Sequence, residues 1–239
     1  MNTSRNGSLL SNNNLQKQQT LQTKTLSLHH IIKEPENKQE KPKALFMFHG
    51  YGSNEDDLFS FAGELPGELF IISVRAPYDL MPFGYAWYAI HFDAEDGKWS
   101  DDEQAIESRE KIAAFIDEAC KAYDLDERNV TLLGFSQGTI LSCAVALSYP
   151  EKVKNVIALS GYINQDVLKE GYQNNDLSKL HFYCSHGSVD QVIPVDWARK
   201  TAPLLKSLEV DHIYEEFPVG HGVAPQNFFS LKNWLVDRV

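Results

Sequence analysis

A chain of 239 residues with 33 Asp and Glu against 22 Lys and Arg carries a formal net charge of −11. That length suits one α/β domain with a sizeable core and is too short for two full domains and a linker. The acidic excess argues against a protein whose main business is binding phosphate backbones, which needs a basic face, so no nucleic-acid partner is expected.

The chain opens on "MNTSRNGSLLSNNNLQKQQTLQTKT", rich in Ser, Thr, Asn and Gln, with neither the apolar core of a signal peptide nor a small-residue cleavage site. Such a stretch buries too little apolar surface to offset its ordering entropy, so residues 1–25 are expected to be a disordered tail or tag, and residues 26–239 a single domain. From residue 26 short apolar runs alternate with longer amphipathic stretches. The runs "LSLHHII", "KALFMFH", "ELFIISVRA", "NVTLLGF", "VKNVIALS", "KLHFYCS" and "DHIYEEF" predict strands, several apolar on both faces as central strands are. Helices are expected over 101–123, 137–149, 195–209 and 225–238. The predicted fold class is therefore α/β, a mostly parallel sheet of about seven strands flanked by helices, with no large cap domain.

In the first long helix Ile106, Ile112, Ala113, Phe115, Ile116 and Cys120 form the apolar stripe, with Glu107, Arg109, Glu110, Lys111 and Glu118 on the other face. Asp101-Asp102-Glu103 reads as a helix start, where carboxylates meet the positive end of the dipole. The least regular stretch, "PYDLMPFGYAWYAIHFDAEDGKWSDDE", concentrates aromatic residues before that helix. Phe83, Trp87 and Tyr88, with Tyr85 and Phe92 near them, are expected to wall a binding site. Cys120, Cys143 and Cys184 are odd in number, widely spaced and set in apolar patterns, as buried thiols in a reducing compartment are. No run approaches the roughly 18 apolar residues of a membrane span. The expected setting is cytoplasmic, with no stable membrane insertion.

Gly134-Phe135-Ser136-Gln137-Gly138 follows a predicted strand and opens a predicted helix, the setting of a nucleophile elbow. A serine hydroxyl is weakly nucleophilic at neutral pH, so Ser136 needs an imidazole base and a carboxylate that holds the imidazole in one tautomer. Downstream, His181 and His212 sit inside strands and His186 precedes the well-placed acid. His221, in "FPVGHGVAP", lies in a loop between the last strand and the last helix and is the expected base. Asp190, in "FYCSHGSVDQVIP", follows a buried-type strand by a short turn and is the expected acid. Its rival is Asp196, which the dipole of the next helix explains more simply.

The "HGYG" loop after "FMF" can turn the Tyr51 backbone N–H toward the point faced by the Gln137 N–H, an oxyanion hole. His49 is read as a brace for that loop. His29 and His30 are adjacent on a strand and point to opposite faces, and no ligand-spaced His or Cys motif occurs, so no metal and no cofactor are expected.

Taken together, "FHGYGSNEDD", "AWYAI", "GFSQG", "HGSVDQVIP" and "GHGV" resemble the phospholipase/carboxylesterase family of α/β-hydrolases, which includes bacterial carboxylesterases and acyl-protein thioesterases. The resemblance runs over roughly residues 26–239. It implies a nucleophile at Ser136, an acid at Asp190, a base at His221 and oxyanion donors at Tyr51 and Gln137. It also implies hydrolysis of a small-molecule acyl ester of short to medium chain, and it leaves room for a homodimer. Acyl-protein thioesterase or lysophospholipase chemistry is the alternative, and a non-catalytic ligand-binding relative is the alternative from another class. The chain departs from the family pattern at Thr139, where a second glycine is common, at Ala89, where aspartate is common, and at Tyr51, where leucine is common.

Overall fold

The computed structural model describes residues 23–93 and 97–239, with the side chains of 92–99 outside that description. The first strands are β1 (His30–Lys33), β2 (Ala44–Phe48) and β3 (Phe70–Val74), with one turn of helix, α1 (Asp56–Phe59), between the last two. The irregular stretch pairs into two short hairpins, β4 (Tyr78–Asp79) with β5 (Tyr85–Ala86) and β6 (Ile90–Asp93) with β7 (Gly97–Ser100). Then come α2 (Asp102–Tyr123), β8 (Val130–Phe135), α3 (Gln137–Ser148), β9 (Asn155–Leu159) and β10 (His181–Gly187). After these follow α4 (Val195–Ala198), α5 (Thr201–Ser207), β11 (Asp211–Phe217) and α6 (Pro225–Val236).

All seven predicted strands enter one sheet, ordered β1-β3-β2-β8-β9-β10-β11. Only β1 runs antiparallel to its neighbour, with His30 opposite Val74. The other pairs are parallel, so their carboxyl ends lie on one edge. Strand alternation splits the core in two. Ala44, Phe46 and Phe48 of β2 face the cluster built with α2 and α3, while Leu45 and Met47 face the cluster built with Leu58 of α1 and Leu231, Trp234 and Leu235 of α6. A strand buried on both faces has no polar positions to spare, which is why β2 reads "ALFMF".

Helix α2 starts where Asp101 accepts the Gln104 N–H at 3.0 Å and ends at Asp124 in the left-handed region. Two details differ from expectation. Arg109 is buried rather than solvent-facing, because its Nη1 donates to the Val167 carbonyl at 2.6 Å and its Nε to Glu110 Oε1 at 2.9 Å, which leaves no bare charge inside. The helix expected over 195–209 is broken into α4 and α5, since Pro203 has no N–H to give the carbonyl four residues back. The tail expected over 1–25 lies outside the described residues as far as 22; Lys24 is described, and its N–H donates to the Tyr123 hydroxyl at 2.9 Å. Among the described residues no helix is long and apolar enough to cross a membrane.

Candidate active site

Ser136 occupies the sharp turn between β8 and α3 with φ 56° and ψ −116°, backbone that an L-residue adopts only when its surroundings enforce it. The enforcement is steric and local. A Cβ on Gly138 would stand 1.9 Å from the Phe48 carbonyl oxygen, so α3 can start against β2 only with glycine there. Thr139, where the family commonly has a second glycine, is buried, its hydroxyl 2.7 Å from the Gly134 carbonyl oxygen and 2.6 Å from that of Leu159. Its methyl fits because Gly161 opposite has no side chain: a Cβ there would meet Thr139 Cγ2 at 2.5 Å. The departure is absorbed behind Ser136 by packing.

Asp190 and His221 come from the loops after β10 and β11. Those loops touch at Gly187, where a Cβ would lie 2.2 Å from the Gly220 carbonyl oxygen. The Asp190 carboxylate has no solvent exposure. Its Oδ1 accepts the N–H groups of Val192 at 2.8 Å and Ile193 at 3.0 Å, and its Oδ2 accepts from His221 Nδ1 at 2.7 Å. Burial alone would push this carboxyl up, but the His221 hydrogen bond and the two backbone donors together hold it below the usual carboxylate range. A carboxylate can only accept, so Nδ1 carries the imidazole proton and Nε2 presents a lone pair. That nitrogen lies 3.0 Å from Ser136 Oγ. The Phe135 ring packs 4.9 Å from the imidazole, centroid to centroid.

The other candidates fall away on position. Asp196 is on α4 with its side chain 81% exposed, paired with Arg199 at 2.9 Å. His181 pairs with Asp211 at the far end of the sheet, where β10 and β11 begin, and His212 Nδ1 lies 2.8 Å from the Val210 carbonyl. His186 is buried beside Asp190, its Nε2 2.9 Å from the Ile193 carbonyl, so it braces the loop that carries Asp190.

Gln137 is the first residue of α3 and its N–H has no carbonyl within the helix to meet. Tyr51 N–H makes no backbone hydrogen bond among the described residues. Both residues line the cavity that opens at Ser136. The loop carrying Tyr51 is braced from beneath. His49 Nε2 accepts the Ala76 N–H at 3.0 Å and its Nδ1 lies 2.7 Å from the Gly50 carbonyl, while the Trp87 indole donates to the His49 carbonyl at 2.9 Å. The Gln137 side chain ties the same region, accepting from Trp87 N–H at 3.1 Å and donating to the Tyr88 carbonyl at 2.8 Å.

Burial holds the His49 imidazole below the ordinary histidine value, and burial does the same to His30. A lowered folded value means that stability is full above about pH 6.5 and falls below it, as the unfolded chain takes up protons the folded one refuses. Denaturant unfolding between pH 7 and pH 5 is expected to show a loss of at most about 1.4 kcal/mol per pH unit for each such histidine. The slope should be shallower in His49→Asn; an unchanged slope would contradict a neutral, buried His49.

The cavity has a volume of about 540 Å³. Of the three aromatic residues expected to wall it, only Tyr88 does. Phe83 is 85% exposed at the turn between β4 and β5 and is not among the residues that line the cavity. Trp87 is fully buried, spent on packing against Phe48 and on holding the His49 carbonyl. Phe92 falls among the side chains outside the description. The walls come instead from Ile90, Ile140, Tyr162, Val192, Ile193 and Trp197, residues scattered over four of the connections between sheet strands and sharing no periodic signal.

Comparison with known proteins identifies the family of the chain. A family model described as phospholipase/carboxylesterase matches residues 28–237. Acyl-protein thioesterase 1 of Yarrowia lipolytica is 26% identical over 159 residues, covering 64% of this chain and 69% of that protein. Lysophospholipase-like protein 1 of Mus musculus is 26% identical over 130 residues, covering 54% of each. The chain spans little more than half the length, 54 to 58%, of three curated plant and mouse relatives it matches. Among solved structures, the Bacillus cereus carboxylesterase superposes with a TM-score of 0.76 at 21% identity, over 89% of this chain and 95% of that one, and so shares the α/β-hydrolase fold. The chain belongs to the phospholipase/carboxylesterase family.

Proposed function

We propose that the chain is a serine carboxylic-ester hydrolase acting through an acyl-enzyme on small acyl esters of short to medium chain. One observation carries this: an unbroken hydrogen-bonded run from Asp190 through His221 to Ser136 Oγ, opening into a largely apolar cavity of a size usual for small ligands. In this reading Ser136 Oγ attacks the ester carbonyl carbon while His221 Nε2 takes the hydroxyl proton. The tetrahedral oxyanion is held by the N–H groups of Tyr51 and Gln137, each such donor being worth about 2.7–4 kcal/mol in the transition state. His221 then gives the proton to the leaving alcohol, and a water deprotonated by the same nitrogen cleaves the acyl-serine. Asp190 orients the ring throughout and stabilises its cationic form. The three cysteines are free and buried, with burial pushing the Cys120 and Cys143 thiols up to about 12, which suits a reducing cytoplasm.

The similarity to an acyl-protein thioesterase supports a second reading, since the same three side chains cleave esters and thioesters and only the cavity selects between them. A panel of acyl esters and thioesters from two to sixteen carbons separates the two. The expected result is the highest kcat/KM on esters of short to medium acyl chain. A sharp optimum on long-chain thioesters would transfer the assignment to the second reading, and tight binding without any turnover would favour a non-catalytic relative.

A further inference from the structure

The cavity at Ser136 is lined by three aspartates, Asp57, Asp102 and Asp166, and by no lysine or arginine. Asp57 accepts the Ser53 hydroxyl at 2.8 Å and so serves the loop that carries Tyr51. Asp102 and Asp166 are gathered by one side chain: the Asn164 amide donates to Asp102 Oδ1 at 3.2 Å, and its oxygen accepts the Asp166 N–H at 3.1 Å. Neither carboxylate is in an ion pair among the described residues, and Lys200 lines only the adjoining recess. The capping of α2 does not need Asp102, since Asp101 accepts the Gln104 N–H. Burial and the charge of Asp166 push the Asp102 carboxyl above its ordinary value, against the Asn164 hydrogen bond that pulls it down. A cation held by both carboxylates would relieve that cost.

The same end of the cavity holds a second anomaly. Tyr88 lines it and is 2% exposed, yet its hydroxyl has no hydrogen-bond partner among the described residues. Besides burial, Tyr162 and Asp102 are the groups that push this phenol up, so the hydroxyl lies at the Asp102 end. Buried tyrosine hydroxyls are normally paired, and here the pairing is left to what enters the cavity.

We infer that this end of the cavity is a cation subsite, and that the ester hydrolysed at Ser136 carries a protonated amine, held by Asp102 and Asp166 with an N–H to the Tyr88 hydroxyl oxygen. This rests on the esterase reading and deepens it by naming a substrate class. A carboxylate end would bring a like charge against two carboxylates. An alkyl end would strip water from both without replacing its hydrogen bonds. A quaternary ammonium has the charge but no N–H for Tyr88. A protonated amine supplies both.

The test uses two matched series of esters, one varied on the acyl side and one on the alcohol side, ending in dimethylammonium, its neutral isostere isopropyl, trimethylammonium or carboxylate, with a short acetate ester as reference. The expected result, in at least one series, is a preference of about tenfold in kcat/KM for dimethylammonium over isopropyl, with trimethylammonium between them. Because the preference is a ratio taken within each protein, a general loss of activity in a variant cancels. Asp102→Asn/Asp166→Asn should bring it below about twofold, and Tyr88→Phe, which keeps the ring, should lower it about threefold. Glu64→Gln/Glu68→Gln, the same change in net charge at exposed residues leading into β3 at the opposite edge of the sheet, should keep it. Dimethylammonium no better than isopropyl in both series, a trimethylammonium or carboxylate end that equals or exceeds it, a preference that survives the aspartate variant or Tyr88→Phe, or one lost equally in the glutamate variant would overturn the inference and leave the esterase reading standing. Failure of the parent chain to hydrolyse any ester, the acetate included, would overturn the esterase reading and this inference with it.

Discussion

Replacing Ser136 by alanine is expected to lower kcat on a short ester by about 10⁶, the scale on which removing the nucleophile silences a serine hydrolase. The fold should not change. Ser136 makes no side-chain cap to α3, its backbone N–H bond to the Leu159 carbonyl is retained, and alanine meets the same backbone geometry that serine already tolerates. What disappears is one oxygen, 3.0 Å from His221 Nε2. Thermal unfolding of Ser136→Ala within a few degrees of the parent chain, together with the loss of turnover, would separate chemistry from stability. Retention of more than about one part in a hundred of the activity would place the nucleophile elsewhere.

Asp190→Asn is expected to cost up to about 10⁴ in kcat, through the tautomer. The asparagine oxygen would be held by the N–H groups of Val192 and Ile193, which now fix Oδ1, and this turns the amide NH₂ toward His221 Nδ1. A donor there forces the imidazole proton onto Nε2, the nitrogen that must accept from Ser136, and the base is lost while the loop keeps its shape. Asp196→Asn should leave kcat within about twofold, because that carboxylate points into solvent toward Arg199. A large loss at Asp196 with little at Asp190 would reverse the assignment of the acid.

What was legible in the sequence was whatever rests on local chemistry. Continuous apolar runs announced the inner strands β2, β3, β8 and β9, which are covered on both faces, while the edge strands β1 and β11 carry shorter, mixed runs. Ser136, Asp190 and His221 were legible as residues set at strand ends among glycines, and the structure brings their side chains into one hydrogen-bonded run. Tertiary packing was not legible in the same way. Trp87 reads as a binding-site aromatic, yet the space that takes its ring is the gap between Phe48 and His49 under the loop of Tyr51. Phe83 reads the same way and lies at a hairpin turn in solvent. Arg109 fits a polar helix face until the Val167 carbonyl, 58 residues on, offers its guanidinium a partner. The residues that do shape the cavity, Tyr162 and Trp197 foremost, belong to connections whose meeting depends on the whole sheet.

The central claim is that Ser136 is an activated nucleophile, and covalent labelling with a fluorophosphonate tests it most directly. Intact-mass measurement of the full chain should show a single adduct, peptide mapping should locate it on Ser136, and His221→Ala should slow its formation by at least about a hundredfold, the contribution of a general base. An adduct on another residue, or equal labelling of Ser136→Ala, would contradict the account.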